Sequence, residues 1–237
     1  MKKRGFSAIE SSLSLALFLI IIIAVFESFG ITRSFFFKLK RAEEDNQAAM
    51  AALDKMKIDL LRAGAGLLQP VRQGAVEGMA INNGALMIYH REKTYSLFED
   101  LSPGENRIVL ETAVGLGPGR EVCILDEEKA EVKTISSIEG KTIILAAPLE
   151  ASYSIGETQL ALLERTSLFF DEKKGTIRRK VNASSPQPLL EDVFYFEFAY
   201  QKELNLAKLS FALKNNKEKK YELWVYPKNI ALGLKNS

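Results

Sequence analysis

Cysteine, histidine and tryptophan each occur once in this chain of 237 residues. A lone Cys123 excludes an internal disulfide. Its setting, Glu121-Val-Cys-Ile-Leu-Asp126, alternates like a strand and marks it as a small core residue rather than a working thiol. With His90 as the sole histidine, no Ser-His-Asp set can be nominated, and no Cys or Asp group completes a zinc cluster. Charge of one sign is also missing: 32 bases face 30 acids, so no strong electrostatic pull on nucleic acid follows. Proline is absent ahead of Pro70, and no glycine falls between Gly30 and Gly64. Nothing in that stretch breaks a helix.

What is present is most concentrated at the start. After the basic Met1-Lys-Lys-Arg-Gly5, the chain from Phe6 to Phe26 reads FSAIESSLSLALFLIIIIAVF. As a helix these 21 residues span ~30 Å, the thickness of a bilayer's hydrocarbon. A secretory signal would end in small residues at a cleavage site, whereas Glu27-Ser-Phe-Gly30 and Phe35-Phe-Phe37 follow here. An uncleaved anchor fits the hydropathy but leaves Glu10 unexplained. An acid in an apolar helix costs up to a few kcal/mol and calls for a partner. Cleavage between Gly5 and Phe6 creates one, because the amide nitrogen of Phe6 becomes an ammonium with a pKa of roughly 8. At ~4 Å and an effective dielectric near ~20 the attraction is ~4 kcal/mol before desolvation is subtracted. The pair forms within one chain, at i and i+4, or between chains, where it sets an axial stagger.

Lys2-Lys3-Arg4-Gly5, then Phe6, with Glu10 at the fifth mature position, resembles the leader of type IV prepilins and type II secretion pseudopilins. The resemblance implies that a membrane prepilin peptidase recognises Lys2, Lys3 and Arg4, cuts after Gly5, and leaves Phe6 to be N-methylated. It assigns Glu10 to assembly. Two features depart from the family. Glu27 stands where many major pilins carry a helix-kinking proline, and Arg33, Lys38, Lys40 and Arg41 follow the span on the side expected to lie outside.

Further on, Ala49, Leu53, Met56, Leu60, Ala63 and Leu67 recur at alternating fours and threes, an amphipathic stripe. One helix from about Phe6 to about Ala65, ~90 Å long, is expected, stopped by Gly64-Ala-Gly66 and Pro70. The alternative is two helices with a break near 32–37. Beyond Pro70 the pattern alternates. Strands are expected at 85–89, 107–111, 121–125, 130–138, 142–146, 159–170, 176–180, 193–200, 206–213 and 221–226, divided by Gly, Pro and Asn turns. The fold class is therefore α+β: a long N-terminal helix, transmembrane in its first half and amphipathic in its second, packed on an antiparallel β body. The divisions are a leader at 1–5, a stem at 6–31, an amphipathic helix at 32–67, and a β body at 68–104 and 165–237, with a small β-barrel inserted at 105–164. Residues 166–200 and Arg62-Ala-Gly64 resemble the larger minor pilins of the PilW and GspJ type.

Other chemistry is weakly signalled. Gly115-Leu-Gly-Pro-Gly119 lacks a following helix and is a loop, not a phosphate cradle. Asp126-Glu-Glu128 is a solvated tip before it is a calcium site. Arg178-Arg-Lys180 and the Lys214–Lys220 hairpin lack interleaved exposed aromatics, which argues against nucleic acid. Phe194, Tyr195, Phe196, Phe198 and Tyr200 alternate in and out of a sheet and are expected to be mostly core, partly subunit contact. No catalytic residue, metal or cofactor is expected. The chain is expected to be a minor pilin or pseudopilin, a substrate of the prepilin peptidase rather than an enzyme, acting in initiation or at the tip. Its expected partners are other pilins and, before assembly, lipid of the cytoplasmic membrane with the body outside. One rival is an uncleaved single-pass protein with a binding or sensing β domain; a second is a secreted or membrane-bound enzyme, which a deep pocket with converging acids would support. Glu10→Val is expected to leave processing intact while lowering incorporation, read by comparing mature chain in cells with chain in sheared filaments; equal incorporation would refute the pairing.

Overall fold

The computed structural model describes residues 8–233. Helix α1 runs Ala8–Arg62 without a break at 32–37. Two compact units are distinguished, one extending to Ala48 and one beginning at Ala49. The second opens with the amphipathic end of α1, whose Ala49, Leu53, Met56, Leu60 and Ala63 are all buried, as their spacing requires. Gly64 and Gly66 end the helix at φ of 72° and 71°, values at which a side chain is strained. A Cβ on Gly64 would also press on Ile230 at 3.0 Å. The freed backbone is taken up by a strand, the Gly64 N–H donating to Tyr89 O at 2.8 Å and Arg91 N–H to Ala65 O at 2.9 Å.

A short helix, α2 (Leu68–Arg72), precedes the strands β1 (Met79–Asn82), β2 (Ala85–Ser96), β3 (Arg107–Val109), β4 (Glu121–Leu125), β5 (Ala130–Glu139), β6 (Thr142–Leu145), β7 (Gln159–Asp171), β8 (Thr176–Val181), β9 (Gln187–Leu190), β10 (Val193–Gln201), β11 (Leu206–Leu213) and β12 (Asn216–Val225). Helix α3 (Lys228–Gly233) follows. All strand pairings are antiparallel. Strands β1 and β9 were not expected. Asn83-Gly84 between β1 and β2 has φ of 48° and 71°, the turn that Asn-Gly favours between hairpin strands, so the signal was in the sequence. Strand β9 carries Pro188 and pairs only with β8, which is where proline is tolerated in a sheet.

The β7 strand organises the body. Its first half lies between β2 and β4, and its second half between β2 and β8. Being buried on both faces, it feeds three clusters. Leu168 joins α1 and the β10–β11–β12 sheet in the main core. Leu160 and Leu162 enter a core of their own with Ile108, Leu110, Ile124, Ile135 and Ile143. Ala161 and Leu163 pack with Leu67, Val76 and Cys123. The barrel expected at 105–164 does not close. Those strands continue the larger sheet in the open order β1-β2-β7-β4-β5-β6-β3, and β3 returns to the end of β2 only through the Leu97–Leu110 bridge. A three-residue strand offers too few ladder bonds to complete a wall.

One contact fixes the helix on the sheet. Asp59, with a side chain 2% exposed, receives both Arg179 Nε at 2.6 Å and Nη2 at 3.0 Å from β8. A bidentate geometry satisfies a buried carboxylate that would otherwise be costly. Arg179→Met should therefore lower stability by roughly 3 kcal/mol, because it leaves the buried acid only the more exposed Lys55, whose Nζ stands 3.8 Å away. Arg178→Met, which removes a more open pair with Asp171 and a hydrogen bond to Pro186 O at 3.3 Å, should cost less. Denaturant midpoints of the two variants test the order.

The candidate assembly stem

Lys2, Lys3, Arg4, Gly5 and Phe6, the residues assigned to leader recognition, cleavage and methylation, lie outside the described residues. Glu10 is described, in the first turn of α1 and exposed. Above it, seventeen large apolar side chains between Ile9 and Leu39 are each more than half exposed. They surround the helix rather than forming a stripe, which is the pattern of a segment covered on all sides. Burying side chains of this kind is worth ~1.5–3 kcal/mol each, so leaving the set in water forfeits on the order of tens of kcal/mol. By length and composition α1 can cross a membrane. Past Glu27 the apolar residues turn aromatic. The Phe36 and Phe37 rings meet edge to face at 6.1 Å, and the Arg33 guanidinium stands 5.6 Å from the Phe37 centroid.

The other chemically suggestive groups are mostly spent on structure. Arg179 holds Asp59 and Arg178 holds Asp171, so the basic strand is largely an internal clamp. In the lysine hairpin, Lys217 stands 4.4 Å from the Phe194 centroid and Lys219 4.9 Å from that of Tyr221, while Lys220 reaches Glu222 at 2.8 Å. Phe194 and Trp224 are half exposed, so exposed aromatics do stand among these lysines, contrary to the expectation from sequence. Asp126 lines an open polar depression of about 510 Å³ with Glu127, Glu128 and Glu157. Its Oδ1 accepts the N–H groups of Glu128 and Lys129, both at 2.8 Å, which makes it a turn-former. Among the described residues no three His, Cys, Asp or Glu side chains are grouped to hold a metal. Burial pushes the Cys123 thiol up to about 12, leaving it protonated and inert.

Two buried polar features had no counterpart in the sequence reading. Lys133, 7% exposed, lies between Glu131 at 3.0 Å and Glu150 at 2.8 Å. Asp59 interrupts the apolar face of α1 between Met56 and Leu60, and an acid on a buried face is a sign that a cation must meet it.

No family model matches the chain, and no curated protein matches it. Solved structures with local likeness are phage tailspikes. The Pseudomonas phage phi297 tailspike gp61 is 15% identical over 31% of this chain and 14% of its own, with a TM-score of 0.27. The gp54 tailspike of Acinetobacter baumannii bacteriophage AP22, in complex with capsular saccharide, is 15% identical over 32% and 15%, with a TM-score of 0.28. The tailspike gp49 from Pseudomonas phage LKA1 is 17% identical over 30% and 14%, with a TM-score of 0.26. The chain thus spans about one seventh of these proteins, and a likeness of this size carries no argument about fold or function.

His90 lies on β2. Its Nε2 is 3.6 Å from Glu164 on β7, and its Nδ1 is buried with no hydrogen-bond partner. Burial lowers its pKa, outweighing Glu164, which pulls the other way. The fold therefore favours neutral imidazole. That contribution is fully present above the unfolded value of roughly 6.5 and is lost as pH falls toward the lower folded value. His90→Gln should flatten the loss of stability on going from about pH 7 to about pH 5. Unfolding midpoints measured across that range check it, and an unchanged slope would count against it.

Proposed function

We propose that this chain is a minor pilin or pseudopilin, a structural subunit of a type IV pilus or type II secretion-like filament. The observation that carries the reading is the α1 helix, largely exposed and apolar from Ile9 to Phe26 apart from one acid, Glu10, in its first turn. Such a stem has two stable surroundings, lipid tails and a bundle of similar stems. Moving between them exchanges one apolar cover for another and leaves Glu10 as the group whose energy changes. A cut after Gly5 supplies the amine that neutralises it, so processing by a prepilin peptidase permits assembly. Prepilin peptidase and neighbouring pilins are then the partners, and the cytoplasmic membrane, with the body outside, is the store.

Support for the rest of the reading comes from the α+β plan, with a β body following one long helix. Strands β3–β6 with the start of β7 enclose their own core, and we read them as a barrel-like elaboration carried by the body. That elaboration, with Glu27 in place of a kinking residue, suits a tip or initiation subunit better than a repeated major one. Mass analysis of the chain from cells with active prepilin peptidase is expected to give an amino terminus at methylated Phe6. An intact Met1 would favour the uncleaved anchor instead.

A further inference from the structure

Five strands lie at sheet edges: β1, β3 and β9 in the larger sheet, β10 and β12 in the smaller. An exposed edge presents a row of backbone N–H and C=O groups to any chain that can lie along it, and folds commonly blunt it. Most of these edges are blunted. Strands β1 and β3 are four and three residues long, and β9 is four residues with Pro188 among them. Strand β10 is tied at both ends to the segments that precede β8 and β1. Val193 N–H donates to Gly175 O at 2.8 Å, and Lys202 reaches Glu77 at 2.6 Å. Strand β12 is different. It has ten residues, and β11 is the one strand that pairs with it among the described residues.

The two halves of this edge differ. The hairpin turn leading into it, 214–220, carries Lys214, Lys217, Lys219 and Lys220 against Glu218, and lysines at an edge deter pairing with a like strand. From Glu222 to Val225 the only charge is Glu222, which Lys220 meets at 2.8 Å and Lys208 at 3.5 Å. Side chains there offer something on each face. Val225 is buried and Leu223 half-buried at the margin of the main core, while Trp224 stands half exposed on the opposite face. A strand laid ~4.8 Å outside β12 sets one side chain beside Leu223, where it extends the core, and the next beside Trp224. Alternate residues of the stretch turn their N–H and C=O outward to receive its backbone.

We propose that the outer edge of β12 is a strand-addition site whose occupant is an extended segment of a partner protein, apolar where it passes Leu223 and Trp224 and acidic where it passes Lys217 and Lys220. Main-chain bonds to Glu222–Val225 supply the affinity, and the lysine half sorts partners by charge. A second copy of β12 suits the edge less well. Laid antiparallel over its full length, it brings the lysine half of each copy against the apolar half of the other; laid parallel in register, it brings lysine against lysine. The site does not depend on what covers the α1 stem.

The test uses the full chain in lipid nanodiscs and, as probe, the fluorescein-labelled peptide Val-Tyr-Val-Thr-Val-Glu-Thr-Glu, whose acidic end meets the lysines when it lies antiparallel to β12. Anisotropy reads its binding, and hydrogen exchange reads the amides of Glu222–Val225. Those amides should exchange severalfold more slowly with the peptide present. A peptide with lysine in place of both glutamates should bind roughly three- to tenfold more weakly, the scale of two exposed ion pairs. Lys217→Glu with Lys220→Glu should reverse that preference. Two further peptides are N-methylated at alternate residues, one in each register, which keeps every side chain. The one methylated on the side facing β12 should not bind, and the other should. Unchanged exchange at Glu222–Val225, any other outcome for the methylated pair, or a charge preference that survives the reversal would each overturn the proposal. So would slower exchange of the same amides as the chain is concentrated without peptide, which would give the edge to a second copy.

Discussion

From Ile9 to Leu39 helix α1 leaves nearly all its apolar side chains exposed, and the cost of that exposure in water is the constraint on which the proposed reading depends. On the proposed reading, lipid or other helices cover these side chains, and the two covers are equally apolar. Hydrophobic burial therefore holds the stem but cannot tell one surrounding from the other. On that reading, discrimination falls to the charged groups of the stem, Glu10 first among them. Electrostatics, small in magnitude beside the apolar term, is the term that changes sign between alternatives, and so it decides.

The second unit solves a different problem. There the helix is one-sided, and its buried stripe needs a sheet to lie on. The Asp59–Arg179 pair fixes where it lies, because a carboxylate buried beneath the helix admits one guanidinium in one geometry. Strand β7 extends the arrangement outward. With both faces covered it serves the helix-bearing core and the core of the β3–β6 region at once; His90 sits on its neighbour β2, and the Lys133 pairs lie one strand further out, on β5.

Much of the candidate stem was legible in the residues. A long apolar run, an acid within it, and the absence of proline and glycine are local facts, and helix formation answers to local facts. The buried faces of α1 and most strand positions followed for the same reason, since side-chain period sets which face is covered. Strand β1 was missed although Asn83-Gly84 announced its turn, and β9 because Pro188 argues against a strand anywhere but an edge.

The sequence by itself determined the apolar helix, its single early acid, its stop at Gly64 and the alternation of the strands, because each depends on neighbours a few residues away. Only the tertiary structure decided that the β3–β6 region joins an open sheet instead of closing, that Arg179 is consumed by Asp59, and that Phe194 and Trp224 stand exposed among lysines. Those outcomes depend on pairings between residues up to 120 positions apart, and no periodicity in a chain records which distant partner a side chain will meet.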